Sequence, residues 1–179
     1  MKIFVASDIH GSRYFAKMLA DRINKEMVDE IILLGDLYYH GPRNALPIDY
    51  DPMAVCDILN GFKGSISSAK GNCDAEVDVM MSKFSVKSSI RKTIHGTRYL
   101  FTHGHVYNEE NPPANIDVLI HGHTHVNGIT KTSSGMIIAN PGSVSIPKGG
   151  TVPSYLIVSD HSIVVKDLAN GSEIHRINF

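Results

Sequence analysis

Apolar and polar positions alternate in two registers along this chain. The first half carries compact apolar runs separated by stretches of helical period, and the second half carries short apolar runs separated by turns. Residues 2–7 read as a buried strand, and Ser12 is placed to cap a helix whose Phe15, Met18, Leu19 and Ile23 recur at about 3.6-residue spacing. Residues 30–34 form a second apolar run, and Asp51-Pro52 opens a helix presenting Val55, Ile58, Leu59 and Phe62 on one face. Residues 65–70 read as a weaker strand. Downstream, 85–94, 98–102, 118–120, 128–131, 136–139, 154–158 and 163–167 read as strands, joined by turns such as Ser134-Gly135 and Asn170-Gly171.

An α/β first half followed by a β-rich second half predicts two packed mixed β-sheets with helices on their outer faces, a four-layered αββα sandwich. At 179 residues, without a repeat or a low-complexity tract, residues 1–179 are expected to form a single domain.

Polar residues of metal-binding type sit where the apolar runs end. The strings are Ser7-Asp8-Ile9-His10, Gly35-Asp36, Gly71-Asn72-Cys73-Asp74, Thr102-His103-Gly104-His105 and Gly122-His123-Thr124-His125. Two of them place ligand types at i and i+2, and residues two apart in extended backbone point the same way. In open α/β folds ligands gather beyond the carboxyl ends of strands, where loops diverge. Asp8, His10, Asp36, Asn72, His103, His123 and His125 are therefore expected to form a two-metal site. Seven oxygen and nitrogen donors exceed a four-coordinate structural zinc site, which would usually use Cys. If Asp36 bridges, each of two divalent ions receives four protein ligands. This mixture of donors suits manganese, zinc, iron or nickel, with manganese favoured.

Two dications bring four positive charges, of which Asp8 and Asp36 cancel two, so the site is expected to attract a phosphate oxygen and hold hydroxide. A hydroxide bridging the metals would attack an ester in line, with His105 stabilising the leaving oxygen. Asp74 is read as an orienter of a ligand, while Arg43, Asn44 and Cys73 are read as substrate-side groups or parts of a solvated turn. His121, beside a ligand, is expected to be structural. Tyr38 and Tyr39 would line the site or pack the loop.

Composition narrows the setting. With 42% hydrophobic residues and a formal charge of −1, the chain carries no bias toward long nucleic acid or a membrane. Cys56 and Cys73 make no disulfide framework, and the apolar N-terminus is interrupted at Asp8, so a cytoplasmic setting is expected. A homo-oligomer, dimer or tetramer, is compatible with apolar loop residues such as Leu46 and Ile48.

The succession of strings, with Gly35-Asp36 through His40-Gly41-Pro42-Arg43-Asn44 and the block from Asn140-Pro141-Gly142-Ser143 to Lys148, resembles the calcineurin-like metallophosphoesterase superfamily, and within it the small YfcE-like phosphodiesterase group. The resemblance spans nearly the whole chain. It implies that Asp8, His10, Asp36 and His125 hold one metal, and that Asp36, Asn72, His103 and His123 hold the other. It also implies metal-dependent hydrolysis of a small phosphodiester. Many relatives carry His where this chain has Cys73, a departure the small group shares. A phosphomonoesterase, or a scaffold of the same fold with little or no catalysis, are the alternatives.

Overall fold

The computed structural model describes residues 1–178; Phe179, the last residue of the expected domain, lies outside the described residues. Ser12 caps α1 (Arg13–Glu26) as its spacing indicates, its Oγ accepting from the Phe15 N–H at 3.4 Å. Asp51 does the same for α2 (Pro52–Asn60), accepting from the Ala54 N–H at 3.1 Å with Pro52 in the first turn. The two helices bury Ala16, Leu19 and Ile23, and Val55, Cys56 and Leu59, against one face of a sheet.

That sheet has seven strands. Parallel β1 (Ile3–Ala6), β2 (Glu30–Leu33), β3 (Ile66–Ala69) and β4 (Ser85–Lys87) form one side, and antiparallel β10 (Ser154–Val158), β11 (Ser162–Asp167) and β12 (Glu173–Asn178) extend the other. Alternation along the strands builds two cores. Phe4, Ala6, Ile31 and Leu33 meet the helices, while Ile3, Val5, Ile32 and Leu34 face the second sheet. The second sheet runs β5 (Ile90–Ile94), β6 (Thr97–Thr102), β7 (Val118–His121), β9 (Ile137–Asn140) and β8 (Gly128–Lys131), with β6, β7 and β9 parallel. It contributes Tyr99, Phe101, Val118 and Ile120 to the shared core.

Both sheets are mixed, and their stacking is the expected one. On the outer face of the second sheet, Leu100, Leu119 and Ile138 are covered by Tyr107, Ile116 and Met136 rather than by a helix. The covering segment contains Pro112-Pro113, which the interior of a helix would not tolerate.

Three local readings change. Residues 85–94 are two strands in different sheets, because Ser88-Ser89 carries the chain from one to the other. The short helix α3 (Glu76–Met81) buries no residue and so left no apolar period to read. β12 is an exposed edge strand whose pairing shifts register at Val165/Lys166, which masks its alternation.

Parallel β1, β2 and β3 bring Asp8, Asp36 and Asn72 to one edge, and β6 and β7 bring His103 and His123 beside them. Each of these five follows its strand end within three residues.

Candidate metal centre

Five of the seven expected ligands have left-handed backbone: Asp8 (φ 58°), His10 (φ 50°), Asp36 (φ 54°), His123 (φ 68°) and His125 (φ 62°). The i, i+2 pairs therefore converge through left-handed backbone and not through the extended backbone that their spacing suggests. Paired left-handed residues turn both side chains inward, and between them Ile9 is buried in the helix-side core. Such conformations cost of order 1 kcal/mol each in a non-glycine residue and persist only where surroundings enforce them. Here the first two loops lock each other, with Asp8 N–H donating to Gly35 O at 3.1 Å and His10 N–H to Asp36 O at 2.9 Å.

Backbone carbonyls fix the imidazole tautomers. His10 Nδ1 lies 2.8 Å from Tyr39 O, His125 Nδ1 2.7 Å from Ile146 O, and His103 Nδ1 2.8 Å from Leu34 O. A carbonyl only accepts, so each Nδ1 carries its hydrogen and each Nε2 offers a lone pair when the ring is neutral. Those Nε2 atoms point inward at other acceptors. His10 Nε2 and His125 Nε2 are 3.2 Å apart, and they lie 3.4 and 3.2 Å from Asp8 Oδ1, a buried oxygen with no hydrogen-bond partner. His103 Nε2 is surrounded by Asn72 Oδ1 at 3.0 Å, His123 Nδ1 at 3.1 Å and Asp36 Oδ2 at 3.3 Å. Acceptors gathered this tightly repel one another unless positive charge lies among them. A single proton satisfies one pair, whereas a cation satisfies the whole group. The donor separations match neighbouring ligands at about 2.1 Å from a common ion.

Asp36 lies between the two groups. Its Oδ2 is 3.3 Å from His103 Nε2 and 3.8 Å from His10 Nε2, while Oδ1 accepts the Cys73 N–H at 2.8 Å. Donor atoms of Asp8, His10 and His125 fall within 4.8 Å of one another, as do those of Asp8, Asp36 and His103. These residues fit divalent metal binding.

Protonation is shifted at several of these residues. Burial opposes charge on Asp8, but His10 and His125 outweigh it and hold the carboxyl well below its ordinary range. Burial likewise opposes charging His103, yet Asp36 and Asp8 raise it to about 9. His10 is raised for the same reasons. At neutral pH the metal-free cluster thus favours a proton on His103, where a cation would sit. Burial, together with the Asp36 and Asp74 carboxylates, pushes the Cys73 thiol up to about 12, so position 73 presents a neutral thiol.

Asp74 braces two of the loops. Its Oδ2 accepts from Asp36 N–H at 2.9 Å and Gly71 N–H at 2.7 Å, and its Oδ1 accepts from Leu37 N–H at 2.8 Å. The block 140–148 braces the others. Asn140 Nδ2 donates to Gly122 O at 3.0 Å, Ser143 Oγ to Asp8 O at 2.8 Å, and Lys148 N–H to His125 O at 2.9 Å. Gly122 is required by proximity, since a Cβ there would stand 2.0 Å from Ser7 Oγ and 2.7 Å from Asp8 Oδ2. Asn140 and Ser143 enter the sequence pattern only as part of the 140–148 block, and Gly122 only as the first residue of a ligand string, none of which assigns them these contacts.

An open cleft of about 690 Å³ leads from Asp36, Asn72, His123 and His125 to the surface. Arg43, Asn44 and Cys73 line it, together with Tyr39 and Lys148. The two tyrosines divide: Tyr39 faces the cleft, while Tyr38 is buried in the helix-side core with its hydroxyl 2.8 Å from Ser82 Oγ. His105 packs 5.4 Å from the His103 ring and 6.3 Å from the His123 ring, centroid to centroid, and lines a neighbouring cavity instead of this cleft. His121 turns away from the donors, its Nε2 lying 3.0 Å from Glu109 Oε2.

Residues 1–162 match the family model of the calcineurin-like phosphoesterase superfamily domain. The chain is 38% identical over 180 residues to phosphodiesterase YfcE of Escherichia coli K12, covering 99% of this chain and 97% of that one. It is 28% identical over 168 residues to the probable metallophosphoesterase YsnB of Bacillus subtilis, covering 89% of this chain and 84% of that one. A solved structure of the Escherichia coli YfcE phosphoesterase superposes with a TM-score of 0.95 at 37% identity, over 99% of this chain and 98% of that one. Converging imidazole and carboxylate donors at the ends of parallel strands, within a fold shared along the chain's length, are those of a family member: the chain belongs to the calcineurin-like phosphoesterase superfamily.

Proposed function

We propose that the protein is a metal-dependent phosphodiesterase acting on a small phosphodiester, with two divalent ions, manganese foremost, held between Asp8, His10, Asp36 and His125 on one side and Asp36, Asn72, His103 and His123 on the other. The observation that carries this reading is the convergence of tautomer-locked Nε2 atoms on carboxylate and amide oxygens, with Asp36 Oδ2 between the two groups. When bound, such ions lower the pKa of a water and neutralise charge on phosphate oxygens. The chain's own residues do the rest. Asp74 and the 140–148 block hold the loops rigid, Arg43 and Lys148 offer cationic contacts in the cleft, and Asn44, whose Nδ2 donates to His40 O at 2.8 Å, stiffens the cleft loop. His105, beside His103, is the side chain assigned to the leaving oxygen. Free Cys56 and Cys73 suit a reducing cytoplasm.

The test is hydrolysis of paired chromogenic phosphate diester and monoester substrates by metal-stripped protein, before and after manganese is restored. Manganese-dependent activity favouring the diester supports the proposal. Stoichiometric metal binding without turnover would favour the second reading, a scaffold with little or no catalysis, which the neutral Cys73 thiol alone recommends. Changing Cys73→His then asks whether a missing imidazole limits the site. A gain in monoester turnover is expected if it does.

A further inference from the structure

The cleft over the donor cluster carries two cations that the protein itself leaves unneutralised. Arg43 and Lys148 both line it, both are exposed, and neither meets a carboxylate among the described residues. Arg13, Arg98 and Arg176, by contrast, each hold a carboxylate at the surface. The backbones that present the two cations are tied to the cluster. The Lys148 N–H donates to His125 O at 2.9 Å, and the Lys148 carbonyl accepts from the Thr151 N–H at 3.1 Å and from Thr151 Oγ1 at 2.8 Å. Gly149 (φ 62°) and Gly150 (φ 75°) complete that turn in a conformation glycine adopts without steric cost. On the other loop Tyr39 O accepts from His10 Nδ1 at 2.8 Å, and Asn44 Nδ2 closes the next turn on His40 O at 2.8 Å, with Arg43 inside it. Backbones held this firmly end in side chains free to take a ligand's charge.

The other loop of the cleft adds no cation. It contributes Asn72, the neutral thiol of Cys73, and Asp74, whose oxygens are occupied by the N–H groups of Asp36, Leu37 and Gly71. A phosphodiester carries one negative charge, and the divalent metal that the donor cluster fits is sufficient to offset it. Two further positive charges in the same cleft then have nothing to neutralise unless the ligand brings another anion. We infer that the substrate is a phosphodiester with a second anionic group, a carboxylate or a phosphate, on one arm, held by Arg43 and Lys148. This rests on the phosphodiesterase reading given above. The planar fork of Arg43 suits two oxygens of one anion, and Lys148 adds a compact charge.

The probe is 4-carboxybutyl(methyl)phosphinate, which keeps the single charge of a diester at phosphorus, has carbon in place of both ester oxygens, and so binds without turnover. It is titrated calorimetrically into the manganese-loaded protein beside its neutral carboxamide. The carboxylate is expected to bind about tenfold tighter. That gap is expected to vanish in the double variant Arg43→Gln, Lys148→Gln and to persist in Lys63→Gln, which removes an exposed lysine outside the cleft. Equal affinities for the two phosphinates in the unmodified protein overturn the inference. So does a gap that survives in the double variant, which would place the carboxylate on the metal, or one lost equally in Lys63→Gln, which would make it an effect of overall charge. Turnover of bis(p-nitrophenyl) phosphate is followed in parallel. Turnover without the gap removes the second anion and leaves the phosphodiesterase reading in place, whereas the gap without turnover counts against that reading and leaves the anion site standing.

Discussion

Histidine beside aspartate, with a left-handed residue in the turn, occurs at two places in this molecule and means different things at each. Where β5 meets β6, His95 (φ 49°) and Gly96 (φ 85°) form a two-residue hairpin turn, and His95 Nε2 lies 3.1 Å from Asp160 in solvent. At the strand ends, His10 and His125 stand 3.4 and 3.2 Å from Asp8 with all three side chains almost completely buried. At the hairpin the left-handed backbone serves the strands' twist, and water screens the pair. At the cluster it serves the aim of inward-facing donors, among them Asp8 Oδ1, which has no hydrogen-bond partner, and burial leaves their charges coupled. Distance and residue type alone do not separate a surface pair from a metal site. Burial and the direction of lone pairs do.

The sharpest way to break this contrast is Asp36→Asn, which keeps shape and removes the charge shared by both groups. A drop in kcat of about 10³-fold is expected, the scale of losing a central electrostatic group. Steady-state kinetics with manganese checks it, and full turnover would remove Asp36 from the shared position.

The folded pKa of His103, about 9, lies above its unfolded value of about 6.5, so its contribution to metal-free stability is complete below that value and is lost as pH rises toward 9. Metal ions must displace the same protons. Melting curves are expected to show the metal-free protein weakening between pH 6.5 and 9, while apparent manganese affinity strengthens about tenfold per pH unit for each proton displaced. A pH-independent affinity would mean that no proton occupies the cluster.

Glycine substitutions sharpen the comparison next. Gly122→Ala places a methyl 2.0 Å from Ser7 Oγ and 2.7 Å from Asp8 Oδ2, whereas nothing lies within 4 Å of a Cβ at Gly128. Overpacking is expected to cost Gly122→Ala about 1–3 kcal/mol in denaturant melts together with metal affinity, and Gly128→Ala neither. The smallest effect belongs to the surface pair. His95→Ala is expected to leave the melting temperature and manganese activity unchanged in the same assays.

Much of this was legible in the sequence because apolar runs and polar strings coincide with strand ends. Residues 2–7, 30–34 and 98–102 were readable from patterning, and so were the caps at Ser12 and Asp51. The ligand types announced themselves because Asp, Asn and His cluster where apolar runs end, four of the seven directly behind Gly or Ser. Convergence itself was not legible. It depends on left-handed turns at Asp8, His10, Asp36, His123 and His125, and a Ramachandran region that non-glycine residues seldom adopt leaves no local signature. The braces were hidden for a related reason. Ser143 and Asn140 act by hydrogen bonds to backbone atoms of loops distant in sequence, and such contacts exist only after both sheets have formed. The split at Ser88-Ser89 was hidden too, because two strands in sequence carry no mark of belonging to two sheets.

The most direct test of the account is anomalous diffraction from crystals of the protein grown with manganese. Two peaks about 3.5–4 Å apart, one beside Asp8, His10 and His125, the other beside Asn72, His103 and His123, with the Asp36 carboxylate between them, are the expected result. A single peak, or manganese bound elsewhere with the His10 and His125 rings still facing each other, would contradict it.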